Sequence, residues 1–172
     1  MTDIQDRNIR GYVAWMSIAL LVIAADQATK WAIVEWLPLY DKVRLNSFVN
    51  LTHQQNTGAA FSFLANAGGW QRWFFILLAL GFGIYLIMEL AKLPRDEKAL
   101  GWVFSLILGG AMGNMYDRLT DGNVVDFVLV HYREYYFPAF NVADSALFCG
   151  AAFWVLLMLL EWRAERSKRD VV

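Results

Sequence analysis

Apolar residues gather into four long runs, separated by shorter stretches that hold most of the charge. The first begins at Gly11 and, after an interruption at Asp26 and Lys30, resumes through Leu37. The second extends from Trp73 to about Leu93, and its first 16 residues are uncharged. The third, Ala99 to Tyr116, is 18 residues without a formal charge; the fourth runs from about Ala143 to Trp162, with 16 uncharged residues from Ser145 to Leu160. A hydrocarbon core of about 30 Å takes roughly 20 helical residues at about 1.5 Å each. The pattern therefore predicts four transmembrane helices, over about 12–37, 71–93, 98–117 and 143–162. A cleaved signal peptide is the alternative for the first run, since an Ala-Ala pair precedes Asp26. Apolar character that continues past that point, and three further runs, favour a span. Only KLPRDEK separates the second run from the third, and Pro94 stops the helix there.

The distribution of Lys and Arg orients the spans. With both termini in the cytoplasm, Arg7, Arg10, Lys92, Arg95, Lys98, Arg163, Arg166, Lys168 and Arg169 lie inside. Lys42, Arg44, Arg72, Arg118 and Arg133 then lie outside, with Lys30 in the first span. Residues 38–70 and 118–142 become extracytoplasmic. In the first of these, Val43 to Leu51 has an imperfect period of two that predicts a short strand, and Gln55-Asn56-Thr57-Gly58 reads as a turn. Val124 to His131 is rich in Val and Phe and predicts a second strand.

Composition sharpens this picture. The 172 residues fit one domain. A hydrophobic fraction of 58% and a charged fraction of 18% depart from the roughly 45–50% and about 25% of soluble domains. Eight Trp suit a membrane–water interface. A net charge of -1 argues against a nucleic-acid binder. Cys149 is alone, which rules out an internal disulfide, and reads as a small packing residue. With only His53 and His131 and no clustered Cys, a zinc site of the usual ligands is not expected.

Against this apolar background, the acids and amides between Gly109 and Ala146 stand out. Asp126 and Asp144, 18 positions apart, flank the passage from the third span to the fourth. Carboxylates at such a boundary are costly and suggest function. Asp126 sits among Val124, Val125, Phe127 and Val128, whereas Asp117 and Asp121 lie in a more polar turn and read as solvated acids. For Asp144, helix capping by Asn141 with an acid three residues on is an equally good structural explanation. Asp26 and Lys30, spaced i,i+4, read as a buried ion pair that fixes packing. Gly109 and Gly113 have the spacing that lets helices approach closely in lipid. Asn114 and Arg118 continue that face, although Arg118 alone could equally anchor the helix end at lipid phosphates.

Two neighbouring carboxylates cannot both ionise readily, so they share a proton and can act as acid and base in amide hydrolysis without a metal. A serine route would need a base near Ser62, Ser105 or Ser145, and none is evident. From the residues alone, an acid–base enzyme competes with a four-span carrier or proton relay using Asp26, Lys30, Asp126 and Asp144, and with a non-catalytic assembly subunit. A relay would spread ionisable groups across the bilayer, whereas here both key acids gather at one face.

The blocks DQATK at 26–30, NTGAAFSF at 56–63, GGAMGNMYDR at 109–118, VVDF at 124–127 and FNVADSA at 140–146 closely resemble the signal peptidase II family. The resemblance spans nearly the whole chain in order. It implies an aspartic endopeptidase of the bacterial inner membrane that removes the signal peptide of a prolipoprotein, cutting before a cysteine that carries a diacylglyceryl group. On this resemblance Asp126 and Asp144 are the catalytic pair, supported by Asp26, Lys30, Asn56, Gly58, Asn114, Arg118 and Asn141. It also implies a predominantly α-helical membrane fold of four spans, with a small extracytoplasmic β-cradle and a short amphipathic helix drawn from residues 38–69. The expected partners are the diacylglyceryl-prolipoprotein and membrane lipids, with no nucleic acid, cofactor or metal, and the chain is expected to act as a monomer and as one domain over 1–172.

Overall fold

The computed structural model describes residues 2–58, 68–94 and 96–169, with side chains described from residue 9 onward. The element order is α1 (Thr2–Trp36), β1 (Lys42–Arg44), β2 (Val49–Asn56), α2 (Trp70–Lys92), α3 (Lys98–Thr120), β3 (Val124–Tyr132), β4 (Tyr135–Tyr136) and α4 (Val142–Arg169). Each of the four helices contains a segment long and apolar enough to cross a membrane, which makes this a multi-pass membrane protein. Residues 59–67, part of the 38–69 stretch expected to supply the short amphipathic helix, lie outside the described residues.

Helix α3 is the axis of the bundle. Its glycines let its neighbours close in. A Cβ on Gly109 would lie 2.7 Å from Val22 Cβ of α1, and one on Gly113 would lie 2.8 Å from Asp26 Oδ2. Gly110 faces the Ala143 carbonyl and Leu147 of α4. Small residues serve here because lipid tails supply no hydrophobic drive between helices, leaving close backbone contact as the cohesive term. Toward the opposite end, Trp15, Ala19, Leu86, Leu90, Val103, Phe104, Ile107 and Leu108 form the apolar core. The outward faces carry exposed Leu20, Leu21, Leu77, Ile84 and Leu159, an exterior suited to hydrocarbon rather than water.

The strands form one antiparallel sheet in the order β1-β2-β3-β4. Where the sequence predicts one strand over 43–51, there are two. Asn46 breaks the run, because its side-chain oxygen accepts the N–H groups of Phe48 and Val49 and closes a hairpin turn. Conversely, Gln55 and Asn56 belong to β2, paired with Val125 and Val124, so the turn begins later than its residues suggest. Between Leu51 and Gln54 the register shifts. There Thr52 donates to the Asp41 carbonyl and the His53 ring bonds the Leu37 carbonyl at 2.8 Å, which fastens the sheet to the end of α1. Helices α1 and α4 extend beyond the predicted spans, and α3 runs through Thr120, which carries Arg118 inside the helix rather than in the following loop.

Candidate active site

Late α1, late α3, early α4 and the near ends of β2 and β3 meet at the sheet end of the bundle. Lys30, 3% exposed, is the hub. Its ammonium lies 2.7 Å from Asp26 Oδ2, 2.7 Å from Asp117 Oδ2 and 3.0 Å from Asn114 Oδ1. Two carboxylate oxygens and one amide oxygen thus surround the ammonium. Asp26 also accepts the Ala143 N–H at 2.9 Å, and this ties α1 to the first turn of α4. Gln27 donates to Asp117 Oδ1 at 2.6 Å.

The expected Asp26–Lys30 pair is therefore present, but Asp117 is not a solvated acid. It is buried, and it is the second carboxylate of a triad. A buried ammonium needs its charge met, and one turn of α3 presents Asn114, Asp117 and Arg118 on one face. That i, i+3, i+4 spacing was the available signal for Asp117, obscured by the polar residues that follow it. Gln27 carried no such signal. Asp121 does remain exposed.

A chain of amides links this hub to the two proposed catalytic acids. Asn141 Nδ2 donates to Asp126 Oδ1 at 2.7 Å and also lies 3.2 Å from Asn114 Oδ1. Asn114 Nδ2 donates to Asp144 Oδ1 at 2.7 Å. Asn141 is in place because Phe140 pairs with Val128, bringing the strand exit back along β3. It is also the N-cap of α4: its Oδ1 accepts the Asp144 N–H at 2.8 Å, and its own N–H reaches Asp144 Oδ2 at 3.3 Å. The reciprocal cap is real, yet it uses one oxygen of Asp144 and leaves the other to Asn114.

On the sheet, Asp126 pairs with Gln54. Asn56, two residues on and on the same face, donates to Asp126 Oδ2 at 3.0 Å. The Asn56 Oδ1 accepts the Gly58 N–H at 2.9 Å, and the Gly58 carbonyl accepts from Arg118 Nη2 at 2.6 Å. Arg118, buried, donates as well to the Asn114 carbonyl and stacks on Phe75. It braces the 56–58 turn against α3 rather than anchoring at lipid phosphates.

Asp126 is 3% exposed. Burial first, and then the negative charge of Asp144, push its carboxyl up from the ordinary 3.8 to about 7, against the pull of the Asn56 and Asn141 amides and of Lys30. Both acids line an apolar cavity of about 1060 Å³ between α2 and α4, walled by side chains such as Leu78, Phe82, Leu147 and Phe148. Cys149, expected to pack internally, is exposed and lines this cavity too. A second, more polar cavity of about 450 Å³ reaches Asp126 from the sheet, past Gln54, Gln55 and Tyr136. The Ser105 and Ser145 hydroxyls donate to the Gly101 and Asn141 carbonyls, and Ser62 lies outside the described residues. Among the described residues no group of three or more His, Cys, Asp or Glu is placed to hold a metal.

Four apolar helices closing around a buried carboxylate cluster, with a sheet over one end, define an integral membrane protein with a polar site at that end of its bundle. The family model described as signal peptidase (SPase) II matches residues 18–160. The lipoprotein signal peptidase of Teredinibacter turnerae is 49% identical over 148 residues, covering 86% of this chain and 88% of the relative. That of Pseudomonas putida is 46% identical over 162 residues, covering 93% and 95%. A bacterial membrane enzyme solved by the in meso method at 2.3 Å superposes with a TM-score of 0.78 at 31% identity, over 86% of this chain and 88% of that one. This chain belongs to the signal peptidase II family.

Proposed function

We propose that the chain removes the signal peptide from diacylglyceryl-modified prolipoproteins by aspartic-peptidase chemistry, with Asp126 and Asp144 as the catalytic pair. The observation that carries this reading is that both acids open onto one apolar cavity while the Asn141–Asn114 bridge joins them. Asp126, with its carboxyl at about 7, holds the shared proton; Asp144 is the ionised member. Water attacks the scissile carbonyl carbon and gives a proton to Asp144. The C–N bond then breaks as Asp126 protonates the departing nitrogen. The pair ends with one proton, now on Asp144, and resets by transferring it.

The apolar cavity suits the signal helix and acyl chains, and the polar cavity beside Asp126 suits the chain beyond the cut. The orientation deduced from Lys and Arg, with both termini cytoplasmic in the inner membrane, gains support because buried Arg118 drops out of the outside count. All 172 residues work as one peptidase domain, active as a monomer. The decisive experiment is cleavage of a diacylglyceryl-modified prolipoprotein by the purified protein in detergent, beside its Asp126→Asn variant. Equal cleavage by the two would overturn the proposal.

A further inference from the structure

At the end of the sheet remote from Asp126, the β1–β2 hairpin and the β3–β4 turn enclose a cavity of about 500 Å³. Lys42, Arg44 and Arg133 line it, and no lining residue is acidic. Among the described residues none of these three cations has a carboxylate partner. The Lys42 ammonium lies 5.4 Å from the Tyr136 ring centre and the Arg133 guanidinium 5.4 Å from that of Tyr132. Aromatic faces hold these cations without neutralising them. His131 stacks on Tyr136 at 5.2 Å, and both of its ring nitrogens are buried with no hydrogen-bond partner among the described residues. One of those nitrogens carries a hydrogen in any tautomer, so the cavity holds a buried donor that lacks an acceptor.

Three uncompensated cations and an unanswered imidazole donor match a group with negative charge and several acceptor oxygens, which is the chemistry of a phosphate. The rim decides where that phosphate comes from. Phe48 and Tyr132 stack in parallel at 6.3 Å and remain 56% and 59% exposed. Exposed aromatic rings beside basic residues belong at headgroup depth, whereas a free anion would give them no role. We propose that this pocket seats the phosphate of an anionic phospholipid headgroup and so docks the far end of the sheet on the membrane surface. The proximity of the sheet to a leaflet rests on the membrane reading above; the pocket chemistry does not depend on catalysis.

The test uses full-length protein in neutral detergent, supplied with phosphatidylglycerol or phosphatidylcholine and followed by native mass spectrometry. Wild-type protein should retain phosphatidylglycerol in preference to phosphatidylcholine. R44Q/R133Q should weaken that retention by about thirtyfold, roughly fivefold for each basic residue. Lys42 stays intact because it also lines the polar cavity beside Asp126. His131→Phe keeps the stack on Tyr136 but removes the donor, and should weaken retention several-fold; aromatic seating alone would leave it unchanged and overturn the phosphate assignment. Equal retention by wild type and R44Q/R133Q would overturn the site. Displacement of phosphatidylglycerol by millimolar inorganic phosphate would overturn the lipid source. Cleavage measured on the same samples should be unaltered by R44Q/R133Q, so a failure of the catalytic proposal and a failure of this one register in different readouts.

Discussion

Asn114 and Asn141 meet at 3.2 Å, and each turns its amide to a different aspartate: Asn141 to Asp126 and Asn114 to Asp144, both at 2.7 Å. The contact sets one acid's position relative to the other's, although one belongs to a strand and the other to a helix. Because Asn114 Oδ1 also accepts from Lys30, the pair is anchored to the charged hub of the bundle.

If Asp126 and Asp144 act in one step, Asp126→Asn and Asp144→Asn should each reduce cleavage by at least about 10²–10⁴-fold, the usual worth of general acid–base catalysis. Both proteins should stay folded, and the double variant should be no worse than either single one. Asn also caps helices well. Substantial turnover by purified Asp144→Asn protein would leave Asp144 as a cap alone.

The pH dependence follows from the proton on Asp126. That proton is held below about pH 7 and lost above it, so cleavage should fall as pH rises through that value. On the acid side cleavage should fall as the ionised partner gains a proton, giving a bell whose two limbs belong to the pair. Asn56 donates to Asp126 and favours its ionised form. Asn56→Ala should therefore move the alkaline limb to higher pH; a shift to lower pH in the measured rate profile would contradict the assignment.

Asp117 should behave as a structural acid. Asp117→Ala leaves Lys30 with one carboxylate and removes the nearest acceptor of the Gln27 amide. Breaking a buried pair costs about 3–5 kcal/mol, so thermal unfolding in detergent should occur at clearly lower temperature than in wild type. Asp26→Ala should do the same, and replacing Asp26, Lys30 and Asp117 together by apolar residues should restore folding more than cleavage. Unchanged stability in either single variant would move that acid into the chemistry.

Close packing at α3 gives a further test. A Cβ at Gly113 would press on Asp26 Oδ2 at 2.8 Å. Gly113→Ala should lower stability by about 1–3 kcal/mol, the range for overpacking, with the midpoint of thermal unfolding as the readout. Gly81 has open space around it, and the same change there should be silent.

Orientation is testable by labelling. Lys98→Cys should react with an impermeant thiol reagent only from the cytoplasmic side, in a Cys149→Ser background. Reaction from the outside alone would invert the topology.

Four spans, the breaks between them and the unusual cost of Asp126 and Asp144 were legible in the chain itself, because apolar run length and charge placement are local properties that a bilayer reads directly. The same holds for the Asp26–Lys30 pair and for Gly109 and Gly113, whose roles follow from helical spacing. The polar neighbours of Asp117 suggest a solvated acid, since its partner Lys30 lies far back in the chain on another helix. The hairpin turn at Asn46, the register shift beside His53 and the contact of Asn114 with Asn141 likewise depend on which elements meet. Local pattern specifies how each segment meets lipid and water; which oxygen receives each buried hydrogen is decided only when distant segments close on one another, since a buried donor must take whatever acceptor the packing brings.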